Sequence, residues 1–340
     1  MQSSRPAALA AALSLALVLG APATALAWGA TGHRMIGEVA MRALPAELPG
    51  FLHSPQAAID VGEFSREPDR AKGAGKEYDA DRDPGHFLDL GDDGRIFAGP
   101  ALAALPQTLA DYDAALRAVG QDAWKAGYLP YSIVDRYEQL AKDFAYWRAE
   151  TAAEANPAWG AHRAWFSADR RRREGQILVA IGELSHFVGD GSQPLHVTIH
   201  FNGWGPYPNP AGYSTDKLHG PFESDLVQAS VKEPAVAAEL GAFHSCGCPI
   251  DQRTGAYLAA TGQLVVPFYQ MVKAGGLAPG DPRGTAFATR QLAVGATELR
   301  DQIVEAWRIS ARETVGYKPV AVADVVAGKV DPYPAIYGLD

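Results

Sequence analysis

Cysteine is almost absent from this chain of 340 residues: only Cys246 and Cys248 occur, one residue apart. A disulfide scaffold needs several spaced cysteines, so this pair excludes that class of protein. The two residues can form a local disulfide, stay as free thiols in a loop, or contribute a peripheral metal contact. The sequence leaves these alternatives open.

Long apolar runs and an excess of positive charge are also lacking. Beyond residue 27 no run of roughly 18 or more apolar residues occurs, which predicts a soluble mature chain. The formal net charge is −9, which disfavours sequence-independent binding of nucleic acid. No internal repeat and no interdomain linker is visible, so we expect a single domain.

The chain begins with the features of a secretory signal peptide. Residues 1–27 combine the positive Arg5, an apolar Ala/Leu run and a terminal Ala-Leu-Ala that fits a cleavage site. Cleavage there would send the protein to the periplasm or the medium and expose the amine of Trp28. Because an α-amine has a pKa of about 7.7–8.0, that amine can bind a metal, together with the Trp28 carbonyl and the His33 imidazole.

Apolar residues recur at three- and four-residue spacing in several segments, which predicts helices with one buried face. The clearest stripes are Tyr137, Leu140, Phe144 and Trp147; Ile177, Ile181 and Leu184; and Leu292, Leu299, Ile303 and Trp307. Strand-like alternation is rare. Residues 201–216 are rich in Gly, Pro, Asn and Tyr and predict a long, functional connection. We therefore expect one all-α domain over 28–317 and an extended tail over 318–340.

Two segments place a histidine and a carboxylate four residues apart, on one face of a helix. In ELSHFVGDGSQPLH these are His186 and Asp190, and the Gly/Pro break that follows aims His196 toward the same space. In KLHGPFESD they are His219 and Glu223. A single helical histidine is usually a core residue, but the repeated pattern favours metal ligation.

Two acidic segments upstream supply further candidate ligands. DRDPGHFLDLGDDG carries His86, and GEFSREPDRAKG carries Asp69. Imidazole and carboxylate without thiolate form the ligand set of hydrolytic zinc sites that keep a position open for water. Together with the Trp28 terminus, these segments predict a zinc site.

The combined pattern resembles the superfamily that joins bacterial zinc-dependent phospholipases C with the extracellular single-strand-specific class I nucleases. The resemblance covers most of the mature chain and implies an all-α fold with three zinc ions in a cleft. It implies that one zinc is held by Asp69, His86, His186 and Asp190. It implies that a second lies on His196, His219 and Glu223. The third would take the amine and carbonyl of Trp28, the imidazole of His33, and Asp190 as a bridge.

The reaction that this resemblance implies is hydrolysis of a phosphodiester by metal-activated water. Two zinc ions bridged by a carboxylate lower the pKa of a bound water toward neutrality. Asp69 could be a ligand, the proton acceptor for the attacking water, or both. Four histidines match no ligand position and are expected to be surface or structural residues: His53, His162, His200 and His244.

Several features favour a phospholipid substrate. The last ligand position holds Glu223, where the nucleases usually have Asp, and HFLDLGDDG resembles the phospholipase pattern. The spaced cysteines and the Gly-Gly-Asn run of the nucleases are missing. Trp204, Tyr207 and Tyr213 could meet a lipid surface or a choline head group, or could pack the long loop onto the core. We therefore expect a phospholipase C-like hydrolase with transient membrane-surface contact.

Other features favour single-stranded nucleic acid. Trp28 and His33 are spaced as in the nucleases, and Phe87 and Asp89 lie where those enzymes stack and hydrogen-bond a base. Lys72 stands where they place a phosphate-binding arginine, although lysine lacks the bidentate fork. A single-strand-specific endonuclease or 3'-nucleotidase acting on DNA and RNA is the alternative hypothesis. A non-catalytic secreted zinc-binding protein is the third, and none of the three implies an obligate protein partner.

Overall fold

The structure is a computed structural model that describes residues 28–72 and 75–338. The predicted signal peptide lies outside the described residues. The helices and strands, in chain order, are α1 (Gly29–Arg42), α2 (Pro55–Phe64), α3 (Glu67–Lys72), α4 (Lys76–Arg82), α5 (Leu109–Arg117), α6 (Ala123–Ala126), α7 (Leu129–Ala155), α8 (Arg163–Ser192), α9 (Val227–Ser230), α10 (Glu233–Ala238), α11 (Ile250–Gly262), α12 (Val265–Lys273), α13 (Pro282–Ser310), β1 (Thr314–Val315), β2 (Val320–Ala321), α14 (Val322–Val326) and α15 (Tyr333–Tyr337). Short 3-10 segments cover Gly50–His53, Asp83–His86, Leu102–Ala104, Pro157–His162 and Pro194–His196, and a π-helical turn covers Pro221–Leu226.

The long helices α7, α8 and α13 pack against one another and form the centre of the molecule. Their buried faces are the apolar stripes that the sequence predicted: Leu140 and Phe144 of α7, Ile181 and Leu184 of α8, and Ile303 of α13 are fully buried. Helix α1 packs on α2, α8 and α13. The described part of the chain is thus a mostly helical, single compact domain, as predicted.

Strand structure is confined to one small hairpin among the described residues. Strands β1 and β2 pair antiparallel, with Thr314 opposite Ala321 and Val315 opposite Val320. The loop over 201–216 contains no helix or strand, as its breaker-rich composition predicted. None of the described helices has the length and apolar character that a membrane span requires.

The segment after residue 318 is not the extended tail that its sequence suggested. It contains β2, α14 and α15. Val322 and Val325 of α14 are buried in a satellite cluster with Phe166 of α8, and Tyr333 stacks on His162 with ring centroids 3.5 Å apart. The segment folds back because its few apolar residues cover the C-terminal end of α7 and the N-terminal end of α8.

Candidate metal centre

The C-terminal part of α8 provides the centre's first two side chains. His186 and Asp190 lie one turn apart and are fully buried, with Nε2 of His186 3.3 Å from Oδ2 of Asp190. The Gly/Pro break that the sequence suggested is present: α8 ends at Ser192, one residue after Gly191, and Pro194 begins the next turn. Gly189 also permits a close approach, because a Cβ there would lie 3.0 Å from Nδ1 of His33.

Helix α1 brings His33 to the same point. Its imidazole is buried, stacks on the His186 ring at a centroid distance of 4.0 Å, and places Nε2 3.5 Å from Oδ1 of Asp190. Trp28 fixes the start of α1: its indole N–H faces the carbonyl of Gly189 at 2.8 Å and Oγ of Ser192 at 2.9 Å. The Trp28 carbonyl accepts the first helical hydrogen bond of α1, from the N–H of Gly32 at 3.0 Å.

Two side chains from the segments before and after α4 complete this half of the centre. Nδ1 of His86 lies 2.8 Å from Nε2 of His186 and 3.1 Å from Oδ2 of Asp190. Oδ1 of Asp69 lies 3.9 Å from Nε2 of His186. Asp69, His86 and His186 therefore form one group with the spacing of a metal site, and His33, His186 and Asp190 form another.

A third group lies on the turns that flank the long loop. His196 follows Pro194 in a 3-10 turn, and His219 and Glu223 lie one turn apart where the chain enters the π-helical turn. Nε2 of His219 is 2.8 Å from Oε2 of Glu223 and 2.9 Å from Nε2 of His196. All three are buried. The three groups contain every ligand side chain that the sequence predicted.

Backbone carbonyls determine which nitrogen three of the histidines present to the centre. Nδ1 of His186 lies 2.7 Å from the carbonyl of Ser65, Nδ1 of His196 2.6 Å from that of His86, and Nδ1 of His219 2.7 Å from that of Phe201. Since a carbonyl can only accept, each Nδ1 carries the proton and each Nε2 keeps a lone pair. Such second-layer hydrogen bonds fix the orientation of metal-binding imidazoles.

The nitrogen and oxygen atoms of these groups are arranged to bind a cation rather than to hydrogen-bond one another. Nε2 of His196 and Nε2 of His219 face each other at 2.9 Å with both lone pairs turned inward. Buried polar atoms without a hydrogen-bond partner include both ring nitrogens of His33, Oδ1 of Asp190 and Oε1 of Glu223. Buried polar atoms are normally paired, so this concentration of lone pairs is the expected environment of metal ions. The groups can hold metal ions; their geometry alone does not select one metal.

Burial keeps three of the imidazoles, those of His33, His86 and His186, in the neutral form that metals bind. Desolvation, together with the neighbouring His186, lowers the pKa of His33 to about 3, and desolvation lowers the pKa of His186 to about 4. Desolvation also lowers the pKa of His86 well below its usual range. These side chains therefore offer lone pairs at neutral pH.

Lys72 and Gln193 flank the predicted ligands. Nζ of Lys72 lies 2.9 Å from Oδ1 of Asp69 and 3.4 Å from Oδ1 of Asp83, so this cation already neutralises the carboxylate of a candidate ligand. The Gln193 side chain donates to Oε2 of Glu223 at 3.2 Å and orients that carboxylate. Gln193 was not predicted as a site residue; its place directly before Pro194 in the ligand-rich segment is the one sequence signal for it.

The predicted base-binding residues lie directly after His86. Phe87 is half-buried, while Asp89 is buried and donates its N–H to the carbonyl of Ala126 at 2.8 Å. Among the described residues no side chain hydrogen-bonds the Asp89 carboxylate, and burial raises its pKa to about 7. A carboxyl without such a partner can receive a ligand group.

The aromatic residues of the long loop pack on the protein, in line with one of the two alternatives from the sequence. Trp204 is buried and stacks on His200 at a centroid distance of 3.7 Å, and Tyr213 packs on Trp204 at 4.6 Å. His200 is a structural residue: its Nε2 is 3.1 Å from Oδ1 of Asp92. Tyr207 contacts the edge of the same imidazole at 5.3 Å.

A surface cleft of about 740 Å³ lies beside His86, between α3, α4, the start of α7 and α8. Its aromatic lining is Tyr78, Tyr128, Tyr131 and Phe187, and its charged lining is Glu67, Arg82, Asp135, Arg136, Glu138 and Glu183. The guanidinium of Arg82 lies over the Tyr78 ring and that of Arg136 pairs with Glu183 at 3.0 Å. Carboxylates outnumber cations, so the cleft is acidic as well as aromatic. Sequence reasoning missed it, because its residues come from distant segments.

The two cysteines form a disulfide, Cys246–Cys248. This result selects one of the three alternatives that the sequence left open.

No protein-family model matches this chain, and a search of curated proteins finds no match either.

Proposed function

We propose that this protein is a secreted zinc-dependent phosphodiester hydrolase of the phospholipase C type. The observation that carries the proposal is the convergence of three buried His/Asp/Glu groups whose lone pairs face one another. Nitrogen and oxygen donors without thiolate suit zinc in a hydrolytic site. Resemblance of the ligand segments to zinc-dependent phospholipases C and class I nucleases supports the same assignment.

The proposal assigns the side chains to three zinc ions as the resemblance implies. Asp69, His86, His186 and Asp190 would hold the first, and His196, His219 and Glu223 the second. The third would take His33, Asp190 and the backbone of Trp28 after removal of residues 1–27. When bound, zinc supplies a water of lowered pKa and neutralises charge that develops on the phosphodiester.

The chain's own groups prepare that reaction. The carbonyls of Ser65 and Phe201 hold His186 and His219 in the tautomer that presents Nε2. Asp69, whose Oδ1 lies 2.9 Å from Nζ of Lys72, would orient the attacking water or take its proton. Lys72 would stabilise the ionised form of Asp69 or the negative charge of the phosphate.

The acidic aromatic cleft beside His86 favours a phospholipid over nucleic acid. A polyanion is repelled by its carboxylates, whereas a cationic head group is attracted by them and by the ring of Tyr128. A zwitterionic phospholipid would place its phosphate at the metal centre and its cationic nitrogen in this cleft.

A single-strand-specific nuclease is the second candidate, and Asp89 is the observation that favours it. Its unpaired carboxyl, with a pKa near 7, lies two residues after Phe87 and three after His86. A protonated carboxyl can donate to a base and an ionised one can accept from it, while Phe87 would stack on the base.

The deciding experiment compares two substrates on one preparation. Zinc-loaded protein that begins at Trp28 is assayed on phosphatidylcholine vesicles and on single-stranded DNA and RNA, with and without a chelator. Chelator-sensitive release of phosphocholine supports the phospholipase proposal. Cleavage of the single strands without release of phosphocholine supports the nuclease alternative. Stable zinc binding without turnover of either substrate identifies a non-catalytic zinc-binding protein.

A further inference from the structure

The loop between α10 and α11 carries the only two cysteines of the chain, joined as a disulfide. Their Cα atoms lie 5.1 Å apart, an ordinary distance for a disulfide. The bond spans a single residue, Gly247, and the entropy that a cross-link removes from the unfolded chain grows with loop length. Neither cysteine belongs to a hydrophobic cluster. The bond therefore contributes little to the stability of the fold.

Other contacts hold the loop in place. Nη1 of Arg253 donates to the His244 carbonyl at 3.1 Å, and the N–H of His244 donates to Oδ2 of Asp301 at 3.0 Å. Nη1 of Arg300 donates to the Gly241 carbonyl at 2.9 Å. Because none of these contacts involves sulfur, opening the disulfide leaves the loop attached to α11 and α13.

The surroundings of the two sulfurs suit thiol chemistry. Cys246 is exposed and Cys248 is partly exposed. The N–H of Cys248 points at Sγ of Cys246 over 3.2 Å, and such a donor stabilises a thiolate on Cys246 and makes it the better leaving group. A surface cleft of about 400 Å³, lined by Cys248, Tyr137, Ile250 and Ile309 among others, gives an incoming thiol room beside Cys248.

We propose that Cys246–Cys248 is a thiol–disulfide exchange site for an external dithiol, a chemistry separate from the proposed hydrolysis. A thiolate of the dithiol attacks Sγ of Cys248, the S–S bond breaks, and the electron pair leaves on Cys246. The second thiol of the dithiol loses its proton and attacks its own partner sulfur in the mixed disulfide, which expels Cys248 as a thiolate. Two protons from solvent complete the two cysteine thiols. The dithiol is oxidised by two electrons and the protein disulfide is reduced by two.

Redox titration of the folded protein tests the proposal. Folded protein is equilibrated with dithiothreitol, or with buffers that differ in the ratio of reduced to oxidised glutathione. The reaction is then quenched with acid, free thiols are labelled with a maleimide, and the mass of the protein is measured by mass spectrometry. Since the chain has no other cysteine, every label reports this pair. We expect both thiols to appear together in millimolar reduced glutathione. A disulfide that resists these buffers and opens only after denaturation overturns the proposal.

Two further measurements separate exchange from a structural role. Peptide mapping of early-quenched samples is expected to find glutathione on Cys248, and glutathione on Cys246 contradicts the leaving-group assignment. The reduced protein is expected to keep its Tm within about 2 °C, whereas a larger fall marks a structural cross-link.

Discussion

At the residue scale, the chemistry of the centre depends on which nitrogen each histidine turns inward. His186, His196 and His219 present Nε2 because their Nδ1 protons are taken by carbonyls of Ser65, His86 and Phe201. Every residue has a backbone carbonyl, so the sequence does not show which carbonyls accept these hydrogen bonds. The residue types and the four-residue spacing of the candidate ligands could be read from the sequence, because both are local properties of the chain.

Replacement of His186 by alanine removes the one imidazole that belongs to two of the ligand groups. We expect His186→Ala to lower kcat/KM for the hydrolysed phosphodiester by more than about 100-fold, with zinc content reduced in parallel. Metal analysis and steady-state kinetics on the same samples check this. His53→Ala, a change at an exposed histidine, serves as control, and equal losses in the two variants contradict the ligand assignment.

The terminal amine of Trp28 provides a test at a single backbone atom. One extra residue before Trp28 turns the amine into an amide, which no longer offers a lone pair to a metal. We expect that protein to bind one zinc fewer than the protein that begins at Trp28 and to lose most activity. Zinc stoichiometry measured on both forms decides the matter, and identical stoichiometry with full activity refutes an N-terminal ligand.

At the element scale, the contact between α7 and α8 contains a buried acid away from the metal centre. Glu150 of α7 is fully buried, and its carboxyl interacts with Asp169 and Arg173 of α8. Burial raises its pKa from 4.5 to about 8, although Arg173 opposes the shift. The folded protein therefore holds a proton on Glu150 at neutral pH that the unfolded chain has released.

This proton makes the stability of the helix pair depend on pH. Between pH 4.5 and about 8 the native state binds more protons, so the free energy of unfolding falls as pH rises, by about 1.4 kcal/mol per pH unit from this group. Glu150→Gln removes the titration and is expected to stabilise the protein at pH 8 more than at pH 5. Urea unfolding at both pH values measures it, with exposed Glu138→Gln on α7 as control. An equal effect of Glu150→Gln at both pH values contradicts this account.

The end of helix α8 shows what local sequence reasoning predicts and what it misses. Two glycines suggested that the helix ends here, because glycine weakens an isolated helix, and it does end at Ser192. The glycines also have a packing role, because a side chain at Gly189 would meet His33, and one at Gly191 would lie 2.7 Å from Tyr257. Close packing requires these glycines, and that packing exists only after α1 and α11 have docked.

At the scale of the whole molecule, the proposed metal ions would tie together elements that are far apart in the chain. His33 lies on α1, Asp69 on α3, and His186 and Asp190 on α8, while His219 follows the long loop. A ligand that binds only the native state raises the free energy of unfolding in proportion to the logarithm of its concentration. Metal removal should therefore affect the entire fold.

We expect treatment with a zinc chelator to abolish hydrolysis and to lower the Tm by several degrees. A free metal concentration a thousandfold above Kd contributes about 4 kcal/mol to the unfolding free energy. Calorimetry before chelation, after it, and after readdition of zinc or of magnesium measures the effect. We expect zinc, but not magnesium, to restore the Tm. A Tm that does not change on chelation contradicts the assignment.

The sequence by itself determined the helical class, the buried stripes and the residue types of the candidate ligands, since each follows from short-range spacing. The tertiary structure alone decided the rest. It brought together candidate ligand side chains separated by up to 190 positions, from His33 to Glu223, and formed the acidic cleft. It also showed that the segment expected to be an extended C-terminal tail forms part of a hairpin and two helices that pack on α7 and α8. These features depend on how distant surfaces pack, because burial and contact are properties of the folded chain rather than of any single segment.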